Sequence, residues 1–251
     1  LLGQERSIVN DQPGTTRDAV EARLNFGGRE LRLVDTAGVR RKSRVKESFE
    51  YYSVLRALGA IEHSDVALMV LDATAGVTDQ DKRISGYAHE EGCGQVIAAN
   101  KWDLIDAMQE GAGRRLKEDF RQHARDQLRF AAYATVCMIS AKFRRGITQM
   151  LDEVIRAHEA NRLEIPTGEL TRVFADALSE HPAQRKGRPF KIYYATQVKK
   201  APPTFVLFVN DPDLAHFSTL RYLENELRAK YPLEGTPIRL ITRKSKGKER
   251  G

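Results

Sequence analysis

The chain has 251 residues, 41% of them hydrophobic and 30% charged, which suits one large or two ordinary globular domains. No apolar run approaches the ~18 residues that a membrane span needs, and no basic-then-apolar leader opens the sequence. The net charge of +7 is unevenly placed: residues 1–164 hold 25 Lys and Arg against 25 Asp and Glu, and residues 165–251 hold 16 against 9. Such an excess points to a polyanion partner, nucleic acid first, with a merely soluble basic surface as the alternative.

Leu1-Leu2-Gly3 reads as the end of an apolar helix with a glycine stop, so the sequence is expected to begin inside a domain. Asp11 to Asp18 is a polar loop with Pro-Gly punctuation. Its adjacent hydroxyls, Thr15 and Thr16, could serve a hard cation such as Mg²⁺ or simply a turn and helix cap. Val20, Ala22, Leu24 and Phe26 alternate as in a half-buried strand. Gly27-Gly28 is a hairpin turn, and the return strand ends in Asp35-Thr36-Ala37-Gly38. An Asp at a strand end before a small flexible loop is an arrangement used to hold Mg²⁺. Gly38 lets the backbone approach a terminal phosphate. The basic stretch Arg40 to Lys46 fits a switch loop or a solvated charge run.

Tyr52, Leu55, Leu58 and Ile61 have helical spacing. Asp65 to Asp72 is nearly continuous in apolar residues and reads as a buried parallel strand. A helix is expected over 79–92, a strand over 94–99, a charged helix over 106–129, a strand over 131–139 and a helix over 147–162. Cys93 and Cys137 match no metal spacing and read as buried reduced thiols. The six His form no paired ligand motif.

A Pro/Gly break at Glu164 to Gly168 marks a boundary. After it come a helix over 167–180, a strand over 190–198, its return over 204–209, a helix over 213–231 with Phe217, Leu220, Leu223 and Leu227 as its core stripe, and a strand over 237–242. Basic residues cluster in the loops Arg185-Lys186-Gly187-Arg188 and Lys199-Lys200, and in a tail from Arg243 (Lys244, Lys246, Lys248) expected to be disordered. The general plan is that of a small α+β RNA-binding KH module, although residues 165–245 contain no Gly-x-x-Gly clamp. A basic docking module is the expected role.

Strand and helix alternate through the first part, which implies a doubly wound, mostly parallel sheet. In such sheets ligands bind at the carboxyl ends of the strands. The strand over 94–99 ends on Asn100-Lys101-Trp102-Asp103. A fixed Asp103 can accept two hydrogen bonds from the N1–H and N2–H₂ of guanine, a pair that adenine lacks. Asn100 can tie neighbouring loops, and Lys101 can lay its stem along the base. The next strand ends in Ser140-Ala141-Lys142, whose backbone N–H groups can bond guanine O6 while Lys142 covers the ring.

Pro13 to Asp18, Asp35 to Gly38, Asn100 to Asp103 and Ser140 to Lys142, in that order and followed by a KH-like unit, resemble the Der (EngA) family of bacterial GTPases. The basic stretch Arg40 to Lys46 and Tyr52 to Leu58 are similar to it as well. The resemblance implies a GTPase domain over 1–164, a KH-like domain over 165–245 and a basic tail over 246–251. It implies GTP or GDP with Mg²⁺, a cytoplasmic, ribosome-associated monomer, and a role in assembly of the large ribosomal subunit through its rRNA. It implies that Thr15 or Thr16 and Asp35 serve Mg²⁺, that Gly38 senses the γ-phosphate, and that Asn100, Lys101, Trp102 and Asp103 read guanine beside Ser140, Ala141 and Lys142. Val39 stands where Ras-type enzymes carry a water-orienting Gln, so another group, a monovalent cation or a partner must assist a slow hydrolysis. No Gly-x-x-x-x-Gly-Lys-[Ser/Thr] phosphate loop occurs in these residues, and weak phosphate affinity is expected. The alternative is a non-catalytic scaffold that binds RNA or the ribosome.

Overall fold

The computed structural model describes residues 20–35, 58–108, 113–185 and 187–245. Thr15, Thr16, Thr36, Ala37, Gly38, Val39, Lys186, Lys246 and Lys248 lie outside them, as does the basic stretch 40–46.

Strands β1 (Val20–Phe26) and β2 (Arg29–Asp35) pair antiparallel, with Phe26 opposite Arg29. Gly27 and Gly28 both take positive φ, +58° and +75°. Two successive left-handed residues match the twist of a two-residue hairpin, and glycine adopts them without a Cβ penalty.

A parallel sheet of order β3-β4-β5 follows, made of β3 (Val66–Asp72), β4 (Gly94–Asn100) and β5 (Thr135–Met138). Central β4 is buried along almost its whole length, as a strand covered on both faces must be. On one side Ile97 packs with Met69, Leu71, Ala124 and Leu128. On the other Val96 and Ala98 pack with Cys137, Met150, Leu151 and Ala157. Helices α1 (Asp79–Glu91), α2 (Trp102–Met108), α3 (Gly113–Gln127) and α4 (Ile147–Asn161) supply the two layers. Leu24, Phe26 and Leu31 of the hairpin rest on the second of them. This is the doubly wound arrangement expected. Helix α1 is cut as its residues dictate: Thr78 and Asp81 form a reciprocal capping box, and Gly92 closes the helix at φ +79°.

The second unit is a three-stranded sheet of order β10-β9-β8 with two helices on one face. Its elements are α5 (Thr167–Glu180), the short β6 (Gln184–Arg185) and β7 (Arg188–Pro189), β8 (Ile192–Lys199), β9 (Thr204–Val209), α6 (Phe217–Lys230) and β10 (Arg239–Lys244). Phe205, Leu207 and Val209 turn to the helices and meet Leu170, Phe174, Leu223 and Leu227. The edge of β8 is covered by α5: the Thr171 hydroxyl donates within its helix to Thr167 C=O at 2.8 Å and accepts from Ala195 N–H at 3.1 Å. An unpaired edge is thereby blunted.

The two units meet along the segment after α6. Gln95 N–H donates to Gly235 C=O at 2.7 Å, and Gly235 N–H donates to Tyr133 C=O at 2.8 Å. Gly235 sits at φ +71°, and a Cβ there would lie 2.6 Å from the Ala157 side chain, so only glycine fits. Buried Thr236 donates to Asn161 Oδ1 at 2.6 Å. Arg228, paired with Glu224 through two nitrogens, also donates to the carbonyls of Leu233 and Thr236. The second unit thus caps the amino-end edge of the first sheet.

Several element limits differ from the sequence reading. Of the expected helix over 106–129 the described residues form α2, which already starts at Trp102, and α3, which ends at Gln127. The strand over 131–139 shortens to β5, because Arg129–Ala131 is a 3₁₀ turn. The helix over 213–231 begins only at Phe217. Pro212–Leu214 is a separate 3₁₀ turn, and His216 caps the helix by accepting from Ser218 N–H. Phe217, expected in the core stripe, is 71% exposed in the first helical turn. The supposed tail is also corrected: Arg243 and Lys244 belong to β10, paired to Phe208 and Val209.

Candidate functional site

The carboxyl ends of the three parallel strands form one rim. Register places Asp72 beside Asn100, and Ala99 beside Met138. Past the strand ends the backbones stay tied. Ala73 N–H donates to Asn100 C=O at 2.9 Å, Ile139 N–H to Ala99 C=O at 2.9 Å, and Trp102 N–H to Ile139 C=O at 3.0 Å. The Asn100 side chain closes the set: its Oδ1 accepts from Ala141 N–H at 2.9 Å. Asn100-Lys101-Trp102-Asp103 and Ser140-Ala141-Lys142 are therefore one structure. In this arrangement the Ala141 amide, one of the backbone donors considered for guanine O6, is occupied by Asn100.

Lys101 has φ +63°, a left-handed conformation that costs a residue with a Cβ about 1–2 kcal/mol. The turn lets the chain leave β4 and enter α2 within one residue. Lys101 Nζ reaches Asp72 Oδ2 at 2.5 Å. Asp72 also accepts from Thr74 N–H at 3.0 Å and Thr74 O–H at 2.7 Å. The Lys101 ammonium, then the Thr74 donors, hold the Asp72 carboxyl down at about 2. Asp72 closes β3 as Asp35 closes β2, an acid at a strand end, and that mark alone did not distinguish it in the sequence.

Asp103 stands half-exposed in the first turn of α2, where a carboxylate is favoured by the helix N-terminus. Trp102, counted among the base-reading residues, turns the other way. It is 4% exposed and packs with Ala73, Ala99, Ile105 and Phe120, the last edge-on at 5.5 Å between centroids. Its indole N–H is buried with no hydrogen-bond partner among the described residues, and its packing on Ala73, Ala99 and Phe120 supports the loop from within. The alternation of the helix turn puts Trp102 inward while Lys101 and Asp103 remain accessible.

Ser140 is buried; it exchanges two 3.0 Å backbone bonds with Arg145, and its hydroxyl accepts from Phe143 N–H at 3.3 Å. Gly146 ends this loop at φ +74°, and a Cβ there would lie 2.4 Å from Met138 C=O. Lys142 and Arg145 flank the exposed Phe143 ring at 5.1 and 5.6 Å. Side-chain positions are not described for Asp35, which closes β2.

The described basic residues of the second unit fall in two groups. Lys199 and Lys200 lie at the end facing the first unit, where Lys200 pairs with Glu164. Arg185, Arg188, Arg243 and Lys244 lie towards the other end of the sheet. Arg185 donates to Asp213 C=O at 2.7 Å and Arg188 pairs with Asp211 at 3.0 Å. Cys93 and Cys137 are free and buried; burial pushes their thiols up to about 12 and about 11, which keeps them protonated. Among the described residues no group of three His, Cys, Asp or Glu could hold a metal, and no helix is long and apolar enough to cross a membrane.

Two family models match the chain. "50S ribosome-binding GTPase" covers residues 1–101, and "KH-domain-like of EngA bacterial GTPase enzymes, C-terminal" covers 164–243. Among curated proteins, the GTPase Der of Moorella thermoacetica is 51% identical over 251 residues, all of this chain and 56% of that protein. The GTPase Der of Alkaliphilus oremlandii is 46% identical over 99% of this chain and 56% of its own length. The chain spans about half the length of the curated relatives it matches. A crystal structure of Era with MgGDPNP and 16S ribosomal RNA nucleotides aligns with 96% of this chain and 85% of that one at TM-score 0.45 and 18% identity, too low a likeness to argue from.

Proposed function

We propose, for a chain that belongs to the Der (EngA) GTPase family, that the rim around Asn100 and Ala141 is the guanine end of a GTP-binding and GTP-hydrolysing site. The observation that carries this reading is the Asn100–Ala141 bond, which joins the base-selecting loop to the loop beside it. Asp103 accepts from the guanine N1–H and N2–H₂. Lys101, held by Asp72, offers its stem to one ring face, and Lys142 lies on the second loop. Ser140 fixes that loop from within.

Thr15 or Thr16 and Asp35 would hold Mg²⁺, which supplies charge neutralisation between the phosphates. Gly38 would sense the terminal phosphate. Val39 has no polar atom to orient water, so hydrolysis draws on another group, a monovalent cation or a partner. The unit over 1–164 is the nucleotide switch, the unit over 165–245 the docking module, and residues 246–251 extend its charge. The partner is the large ribosomal subunit and its rRNA, met during assembly, by a monomeric cytoplasmic protein.

The discriminating experiment titrates GDP, ADP and XDP against the chain and its Asp103→Asn variant. The expected result is GDP over ADP for the parent and XDP over GDP for the variant. An unaltered order in the variant removes the base-reading assignment.

A further inference from the structure

We infer that the outer face of the second sheet, the face turned from α5 and α6, is a stacking platform for unpaired RNA bases. Six side-chain positions lie on this face, five of them half-buried or exposed and one, Val206 on the central strand, buried at 2% exposure. The register sets Tyr194, Phe208 and Arg243 in one row and Thr196, Val206 and Ile241 in the next, each row crossing all three strands. The alternate positions Ala195, Phe205, Leu207 and Val209 belong to the helix-side core, which settles which face these six occupy.

The first row carries the chemistry. Tyr194 and Phe208 are stacked, with centroids 4.2 Å apart and planes 12° from parallel. Tyr194 is 42% exposed and lies on edge strand β8, so among the described residues no further strand stands beyond it. Helix α5 blunts the β8 edge at Ala195, whose side chain faces the helices, and on the opposite face the exposed Tyr194 ring can be continued by a third flat ring. Neighbouring Tyr193 is 55% exposed. At the far end of the row stands exposed Arg243 on β10. Among the described residues Arg243 has no carboxylate partner, whereas Arg188 and Lys200 spend their charge on Asp211 and Glu164.

Charge decides the occupant. None of the six face positions is acidic, and residues 165–251 carry the whole net charge of the chain. An apolar protein partner would leave the Arg243 guanidinium buried and unpaired. A single strand satisfies both ends of the row, with a base on Tyr194 and a phosphate on Arg243. Single-stranded nucleic acid is bound elsewhere by this combination of aromatic rings and cations.

This inference rests on the ribosome reading above, and its test separates the two. A fluorescein-labelled oligouridylate of twelve nucleotides, an abasic oligomer of equal length and purified large ribosomal subunits are each offered to the chain and to Tyr194→Ala, Tyr194→Phe and Arg243→Gln. Tyr194→Ala is expected to weaken oligouridylate binding roughly fivefold to a hundredfold, the range of one lost stacked base. It should leave the abasic oligomer unaffected, and Tyr194→Phe should restore binding. Arg243→Gln should weaken both oligomers and reduce the salt slope by about 0.7, as for one lost phosphate contact on a single strand. Equal oligouridylate affinity for parent and Tyr194→Ala overturns the platform. So does the absence of oligouridylate binding, or loss of self-association or of ribosomal protein contacts as the only effect of Tyr194→Ala. Co-sedimentation of the parent with large subunits in those cases keeps the ribosome reading, and its absence as well removes both.

Discussion

The two units expose their chemistry in opposite ways. In the first, the candidate residues follow one another along the chain, at strand ends locked by backbone hydrogen bonds and by the Asn100 side chain. In the second, the row Tyr194–Phe208–Arg243 takes one residue from each of three strands. A rim built from contiguous loops is tied to the core beneath it, and a face built from outward side chains is not. Site and stability should therefore be coupled in the first unit and separable in the second.

Trp102 offers the largest test of that contrast. Replacing it with Ala removes a buried indole under the rim and is expected to cost about 3–5 kcal/mol in denaturant unfolding, with nucleotide binding lost in step. Tyr194→Ala, which removes only the stack on Phe208, should cost about 0.5–1.5 kcal/mol, well below the Trp102 loss. A Trp102→Ala protein with parental stability and binding would break the coupling.

The junction comes next. Gly235→Ala puts a Cβ against Ala157 in a left-handed turn, and Thr236→Val leaves the buried Asn161 carbonyl without its donor. The first should cost about 1–2 kcal/mol from backbone conformation, before any shift of Ala157, and the second about 1–3 kcal/mol. Gly187 also has positive φ, +70°, but open space around it. Gly187→Ala should show the backbone cost alone, so equal losses at the two glycines would deny the junction its close packing.

An acid scan distinguishes the regions by order of loss. Burial, the largest influence, lowers the His89 imidazole below its ordinary 6.5. A depressed His favours the folded state fully above 6.5, and this contribution fades as pH falls below that value. Asp72 is likewise depressed, from 3.8 to about 2, so its contribution is complete above about 4 and lost as pH falls towards 2. His89→Gln should flatten the melting temperature in the first window, and Asp72→Asn in the second. An Asp72→Asn chain that still loses stability between pH 4 and 2 as the parent does would remove the Lys101 pairing from the rim. The smallest effect concerns the thiols: iodoacetamide should label Cys93 and Cys137 only after denaturation, and rapid labelling of the native chain would contradict their burial.

Much of the first unit was legible because its signals are local. The apolar run Val96 to Ala99 had to be a buried strand, and the polar tetrapeptide after it had to be a strand-end loop. What linear reading could not assign was direction within a loop. Trp102 sits among residues expected to read the base, yet one helical step turns it inward against Phe120. Asp72 was missed because its partner, Lys101, lies 29 positions away. In the second unit, the helices and strands followed their apolar periodicity, but Phe217 and Arg243 did not. Phe217 falls in the first turn after a His216 cap that composition does not reveal. Arg243 joins β10 because β9 offers a parallel edge, which no local pattern records. The stacked row exists only through the β8–β9–β10 register.

The most direct measurement is the nucleotide preference of the Asp103→Asn variant. Inverting one hydrogen-bonding group of a base-reading carboxylate should lower GDP affinity by roughly a hundredfold or more and make XDP the preferred ligand. GDP and XDP affinities that match the parent's would contradict a guanine site at this rim.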